Sequence, residues 1–154
     1  MTQAVTFESN FNPKEIISGM VRRWEQALRE QIAAEVREII RRTQGGTDWM
    51  GKPFRRYSPG YEHWKYVTKK RGYGPVDLTF TGDMLRSMRW TVKIAGDEIR
   101  GEIRFNTALA ARKAYANHFG RYGKKRKGPA RPFFALSSEQ QERISQALQK
   151  AGRI

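Results

Sequence analysis

Arg89-Trp90-Thr91-Val92-Lys93-Ile94-Ala95-Gly96-Asp97-Glu98-Ile99-Arg100-Gly101-Glu102-Ile103-Arg104-Phe105 divides into two alternating runs around a turn. Trp90, Val92 and Ile94 alternate with Arg89, Thr91 and Lys93, the period of a half-buried strand. Ala95-Gly96-Asp97 supplies the turn. Ile99, Ile103 and Phe105 answer at even spacing, with Gly101 on the same face and Arg100, Glu102 and Arg104 opposite. The pattern predicts a β-hairpin over 89–105. Gly101 suggests a bulge or the close approach of another backbone.

Upstream, Leu78 to Met88 contains Leu85 and Met88 on one helical face, so one or two turns capped near Thr81 are expected. Thr47 to Gly74 is rich in rings, glycine and proline and opens without a persistent period, as in an ordered loop held by its aromatics. Tyr61 to Lys70 predicts a short helix carrying Trp64 and Val67, closed by an exposed Lys69-Lys70-Arg71 turn. Before it, Ile17, Val21, Trp24, Leu28, Ile32, Val36 and Ile39 recur at steps of three or four and trace one apolar stripe. Asn12-Pro13-Lys14-Glu15 is a good helix start and Gly45-Gly46 a stop, so a long helix over 13–43 follows an arm at 1–12.

Downstream, residues 108–119 read as a helix in which Tyr115, His118 and Phe119 share a face, ended by Gly120. A basic loop at 121–128 carries Lys124, Lys125, Arg126 and Lys127. Pro129 and Pro132 hold the next segment extended, and a further strand near 132–136 is expected beside the hairpin. Ser138 with Gln141 resembles a capping box for a short C-terminal helix. The fold class is therefore α+β: a long N-terminal helix, a small mainly antiparallel sheet and a C-terminal helix, in one domain spanning 1–154.

The chain has 30 Lys and Arg against 15 acidic residues, a formal charge of +15, and the excess recurs throughout its length. Such a balance points to a polyanion or an acidic neighbour. The absence of cysteine excludes disulfides and thiolate metal sites. No apolar run has membrane-span length, and Met1 to Glu8 lacks the marks of a signal peptide, so synthesis in the cytoplasm is expected. The two histidines, His63 and His118, have no ligand spacing and no companion nucleophile or paired carboxylates nearby. No catalytic residue, metal ligand or cofactor is expected.

Four short segments carry a resemblance: Asp48-Trp49-Met50-Gly51-Lys52-Pro53-Phe54, Leu78-x-x-Thr81-Gly82-x-Met84-Leu85-x-Ser87, Tyr115-Ala116-x-His118-Phe119-Gly120, and Pro129-Ala130-Arg131-Pro132-Phe133-Phe134-x-Leu136-Ser137. In this order they resemble the virion morphogenesis, or tail-completion, family of Mu-like tailed phages. The Pro-Ala-Arg-Pro-Phe segment is the most specific of them. The resemblance implies a non-enzymatic structural protein of the virion neck, assembled in the host cytoplasm. It implies a homo-oligomeric ring, commonly hexameric, that completes the tail top and meets tail-terminator and head-completion or connector proteins, with no membrane contact.

A ring requires a heterologous interface. Trp24 and Leu28 on the long helix, together with Phe133 and Phe134, are the apolar candidates for it; the alternative is the core of the single chain. Arg131 either pairs with a carboxylate across subunits or closes its own loop. Lys124, Lys125, Arg126 and Lys127 face DNA in a central channel or are simply solvated, and any contact is with phosphates, without base readout. The alternative function, suggested by charge alone, is a free sequence-nonspecific nucleic-acid-binding protein.

Overall fold

A computed structural model describes residues 18–70, 76–78, 82–95, 98–122 and 127–153. It is α+β, in the order α1 (Ser18–Gln44), α2 (Pro59–Lys69), α3 (Asp83–Arg86), β1 (Met88–Ala95), β2 (Glu98–Phe105), α4 (Ala108–Phe119) and α5 (Ser138–Gly152). The strands form a two-stranded antiparallel sheet, as the alternation predicts. The expected arm at 1–12, the helix start at 13–17, Thr81 and the Gly96-Asp97 turn lie outside the described residues. The chain divides into two compact units, each drawn from separated segments.

The first unit comprises Met1–Glu38, Met88–Arg104 and Leu136–Ile154. Leu28, Ile32 and Val36 of α1 are buried, as are Val92, Ile99 and Ile103 of the hairpin and Ile144 of α5. Burying each such side chain contributes about 2 kcal/mol. Gly101 lies where β2 meets α1: a Cβ there would fall 2.1 Å from Ile32 Cδ1. The close approach is thus by a side chain, not by another backbone. Ile94, at the end of β1, stays exposed. Trp24 Nε1 donates to Leu148 O at 2.8 Å, tying α1 to α5.

Glu35 is buried on the apolar face of α1, only 1% exposed. Its carboxylate accepts from Arg143 Nε and a terminal guanidinium nitrogen at 2.9 and 2.8 Å, from Gln140 at 2.7 Å and from Gln31 at 2.6 Å. The capping box of α5 is formed by Ser137 and Gln140, one residue before the expected Ser138 and Gln141 pair. The doubled Ser-Ser and Gln-Gln permit either register. The earlier one turns the Gln140 amide toward Glu35 while its oxygen takes the Ser137 N–H.

The second unit comprises Ile39–Ser87 and Phe105–Ala135. Asp48 Oδ1 accepts from the Met50 and Lys52 N–H groups, both at 2.8 Å, and so folds the turn after α1 back on itself. The last turn of α1 contributes Ile39, Arg42 and Thr43 to the interior. Arg42 donates to the carbonyls of both Phe133 and Ala135.

Those bonds help to explain why the strand expected near 132–136 does not form. Pro132 has no N–H, the Phe133 N–H turns back to Arg131 O at 2.8 Å, and the Phe134 N–H reaches His118 Nδ1 at 3.4 Å. The backbone groups that a sheet ladder would use are thus taken by side chains and a local turn.

Candidate functional site

The second unit contains an open groove of about 1000 Å³. One wall is α2 and the residues before it. The Ser58 hydroxyl caps the helix by accepting from the Tyr61 N–H, and Pro59 fills the first turn, where its missing donor costs nothing. Tyr57, Tyr61 and Trp64, at steps of four and three, bring their rings together with centroids 4.9 and 5.6 Å apart.

The other wall is α4 and the chain that returns from it. Thr107 caps α4, and Gly120 ends it in the left-handed conformation. The chain comes back through an Arg121–Lys127 bridge and a Gly128 N–H bond to Gly120 O at 2.8 Å. A Cβ on Gly120 would lie 2.2 Å from Gly128 O, so only glycine allows so tight a return. That return delivers Arg131, whose own N–H donates to Asn117 O at 2.8 Å.

Arg131 is 4% exposed. Its Nε donates to Arg55 O at 3.1 Å and its terminal nitrogens to Arg56 O at 3.3 Å and the Tyr122 hydroxyl at 3.1 Å. Its Cζ lies 4.8 Å from the centre of the Tyr57 ring. Tyr122 in turn donates to Asn117 Oδ1 at 3.2 Å. Every one of these partners is uncharged. The nearby Asp77 is paired with Lys65. Burial first, and then the Asp77 charge, push the Tyr57 and Tyr61 phenols above their ordinary range, so both rings are neutral at physiological pH.

Arg55, Arg56, Lys113, Lys127 and Arg131 line the groove along with Tyr57, Tyr61, Trp64 and Tyr122. Among the described lining residues there is no carboxylate and no imidazole. Chemically, the groove offers positive charge and ring faces in one place, the equipment for holding an anion that carries flat groups.

The expected interface residues are placed otherwise. Phe133 is 0% exposed and packs with Phe134 against Phe105, at ring distances of 6.4 and 5.1 Å. Leu28 is also interior, and Trp24 is half-buried through its bond to α5. Leu28, Phe133 and Phe134 thus lie in the core of the single chain, the alternative weighed for them, while Trp24 keeps part of its surface open. Phe133 and Phe134 both point inward because their segment is not a strand, so neighbours need not face opposite ways. For Arg131, the local alternative is the one found: it closes its own loop.

Lys127 is exposed at the groove, whereas Lys124, Lys125 and Arg126 lie outside the described residues. His118 is half-buried, with its ring against Phe119 and Phe133 and its Nδ1 accepting from the Phe134 N–H. Burial lowers its basicity below the usual histidine value.

Sequence reasoning placed Tyr57, Tyr61 and Trp64 in a ring-rich segment but did not gather them with Arg55, Arg56 and Arg131 into one site. The usable signal was cations and rings interleaved over Phe54-Arg55-Arg56-Tyr57, continuing at helical spacing to Tyr61 and Trp64. Comparison with protein-family models, with curated proteins and with solved structures finds no match to this chain.

Proposed function

We propose that the chain is a structural protein of a tailed-phage neck, completing the top of the tail and helping to join it to the head. It works as an oligomeric ring around the DNA channel, and its side chains fit against neighbours without carrying out chemistry. The observation that carries this reading is how the four resemblance-bearing segments meet. Trp49 N–H donates to Pro132 O at 3.3 Å, linking the first segment to the fourth. Arg131 N–H to Asn117 O and Phe134 N–H to His118 Nδ1 link the third to the fourth. Asn117 Nδ2 lies 3.9 Å from Met84 Sδ, bringing in the second. Segments scattered over some ninety positions thus form one bonded framework, as they would if they were the signature of one protein family.

With Leu28, Phe133 and Phe134 inside, contacts to neighbours fall to apolar side chains that remain outside. Val67 on α2 and Leu109 on α4 are the most open of these, at 59% and 60% exposure. The excess of fifteen positive charges suits a part through which a polyanion passes. The test is a cryo-EM map of purified particles together with a deletion of the gene. The reading expects a ring of copies at the neck, and unjoined heads and tails in the deletion. Absence of the chain from purified tails and whole particles would overturn it.

A further inference from the structure

We propose that the groove between α2 and the 127–131 return binds single-stranded nucleic acid, with phosphates on its cations and bases stacked on its rings. The inference rests on the groove alone and does not require the neck assignment.

The first ground is Arg131. A charge taken out of water is costly unless an opposite charge accompanies it. Arg131 is 4% exposed, and its bonds run to two carbonyls, a hydroxyl and a ring, with no carboxylate among the described residues within ion-pair distance. Arg55, Arg56, Lys113 and Lys127 add positive charge at the same opening. An anion entering this groove meets concentrated positive charge and, among the described lining residues, no carboxylate to repel it.

The second ground selects the anion. Trp64 is 49%, Tyr61 38% and Tyr122 36% exposed along the groove, an unusual outlay of ring surface for a site that needs only charge. An acidic peptide would supply carboxylates but would leave those faces wet. A duplex keeps its base faces stacked inside and presents only phosphates, sugars and base edges. A single strand offers both phosphates and accessible base faces, each stacked base being worth about 1–3 kcal/mol.

The test measures the anisotropy of a fluorescein-labelled oligothymidylate titrated with the full chain, against a duplex of equal length and with poly-glutamate as competitor. Tighter binding of the single strand than of the duplex is expected. Trp64→Ala, at a half-exposed position, should weaken the single strand about tenfold while leaving the duplex unchanged. Lys113→Ala should reduce the slope of log affinity against log salt by about 0.7. Circular dichroism confirms that both variants fold. Equal affinity for the two forms with no effect of Trp64→Ala would overturn the proposal in favour of a charge-only surface. Displacement of the oligonucleotide by poly-glutamate at matched charge concentration would overturn it in favour of an acidic peptide.

Discussion

Replacing Glu35 by alanine removes the centre of a four-donor cluster, and the structure sets the size of the loss. Gln140 is 2% exposed, so its amide, left without its carboxylate, costs about 1–3 kcal/mol. Arg143 is different: nearly half its side chain meets solvent, so it turns to water, and its ion pair is worth only about 0.2–1 kcal/mol. The buried methylenes of Glu35 add about 1 kcal/mol. Together these give about 2–5 kcal/mol, a large part of the stability of a chain this size.

The same cluster predicts a pH dependence. Burial pushes the Glu35 carboxyl up, but hydrogen bonds from Arg143, Gln140 and Gln31 together outweigh it and hold the group below its ordinary value. A carboxyl depressed in the folded state stabilises fully above its unfolded value, near 4.3. That contribution is lost as pH falls through the folded value. Urea unfolding followed by circular dichroism should show the full gap between wild type and Glu35→Gln at neutral pH, narrowing only in acid. A loss below about 1 kcal/mol for Glu35→Ala at neutral pH would refute the reasoning, as would a larger loss for Arg143→Ala than for Glu35→Ala.

Gly120→Ala is expected to cost at least about 3 kcal/mol, because it adds left-handed strain of about 1–2 kcal/mol to a Cβ lying 2.2 Å from Gly128 O; thermal melts check this. Gly101→Ala meets the side chain of Ile32 instead, which has some freedom to turn, so about 1–3 kcal/mol is expected, and Ile32→Val in the same chain should recover part of it. The His118 imidazole, its basicity lowered by burial, should titrate below about 6.5 by NMR. Stability from that group is full above the unfolded value and falls as pH drops from there toward the folded one, so a midpoint above 6.5 would contradict its packing.

The elements whose apolar residues repeat regularly were legible in the sequence. Leu28, Ile32, Val36 and Ile39 announced α1, and Val92, Ile99 and Ile103 the hairpin, because a buried face imposes its period on the chain. Glu35 and Arg42 were not singled out, although they sit on the same face as that stripe, three residues after Ile32 and Ile39. A charge on an apolar face is the mark of a buried network, but its partners are far away in sequence: Gln140 and Arg143 for one, the 133 and 135 carbonyls for the other. The segment 132–136 was misread for a related reason. Pro129 and Pro132 suggested an extended strand, while the groups that capture its backbone, Arg42 and His118, lie on separate helices. The groove was least legible, since Arg131 meets Arg55, Arg56 and Tyr57 only after the tight return at Gly120.

Each compact unit is stitched from pieces that alternate along the chain, and the seams fall within α1, at both margins of the hairpin and just before α5. Neither half can therefore be excised as a continuous polypeptide. A protease cutting once between Gln44 and Arg131 would leave fragments that each keep part of both, and transplanting either half into a relative would require several splices. Inheritance, like genetic engineering, has to treat this chain as indivisible.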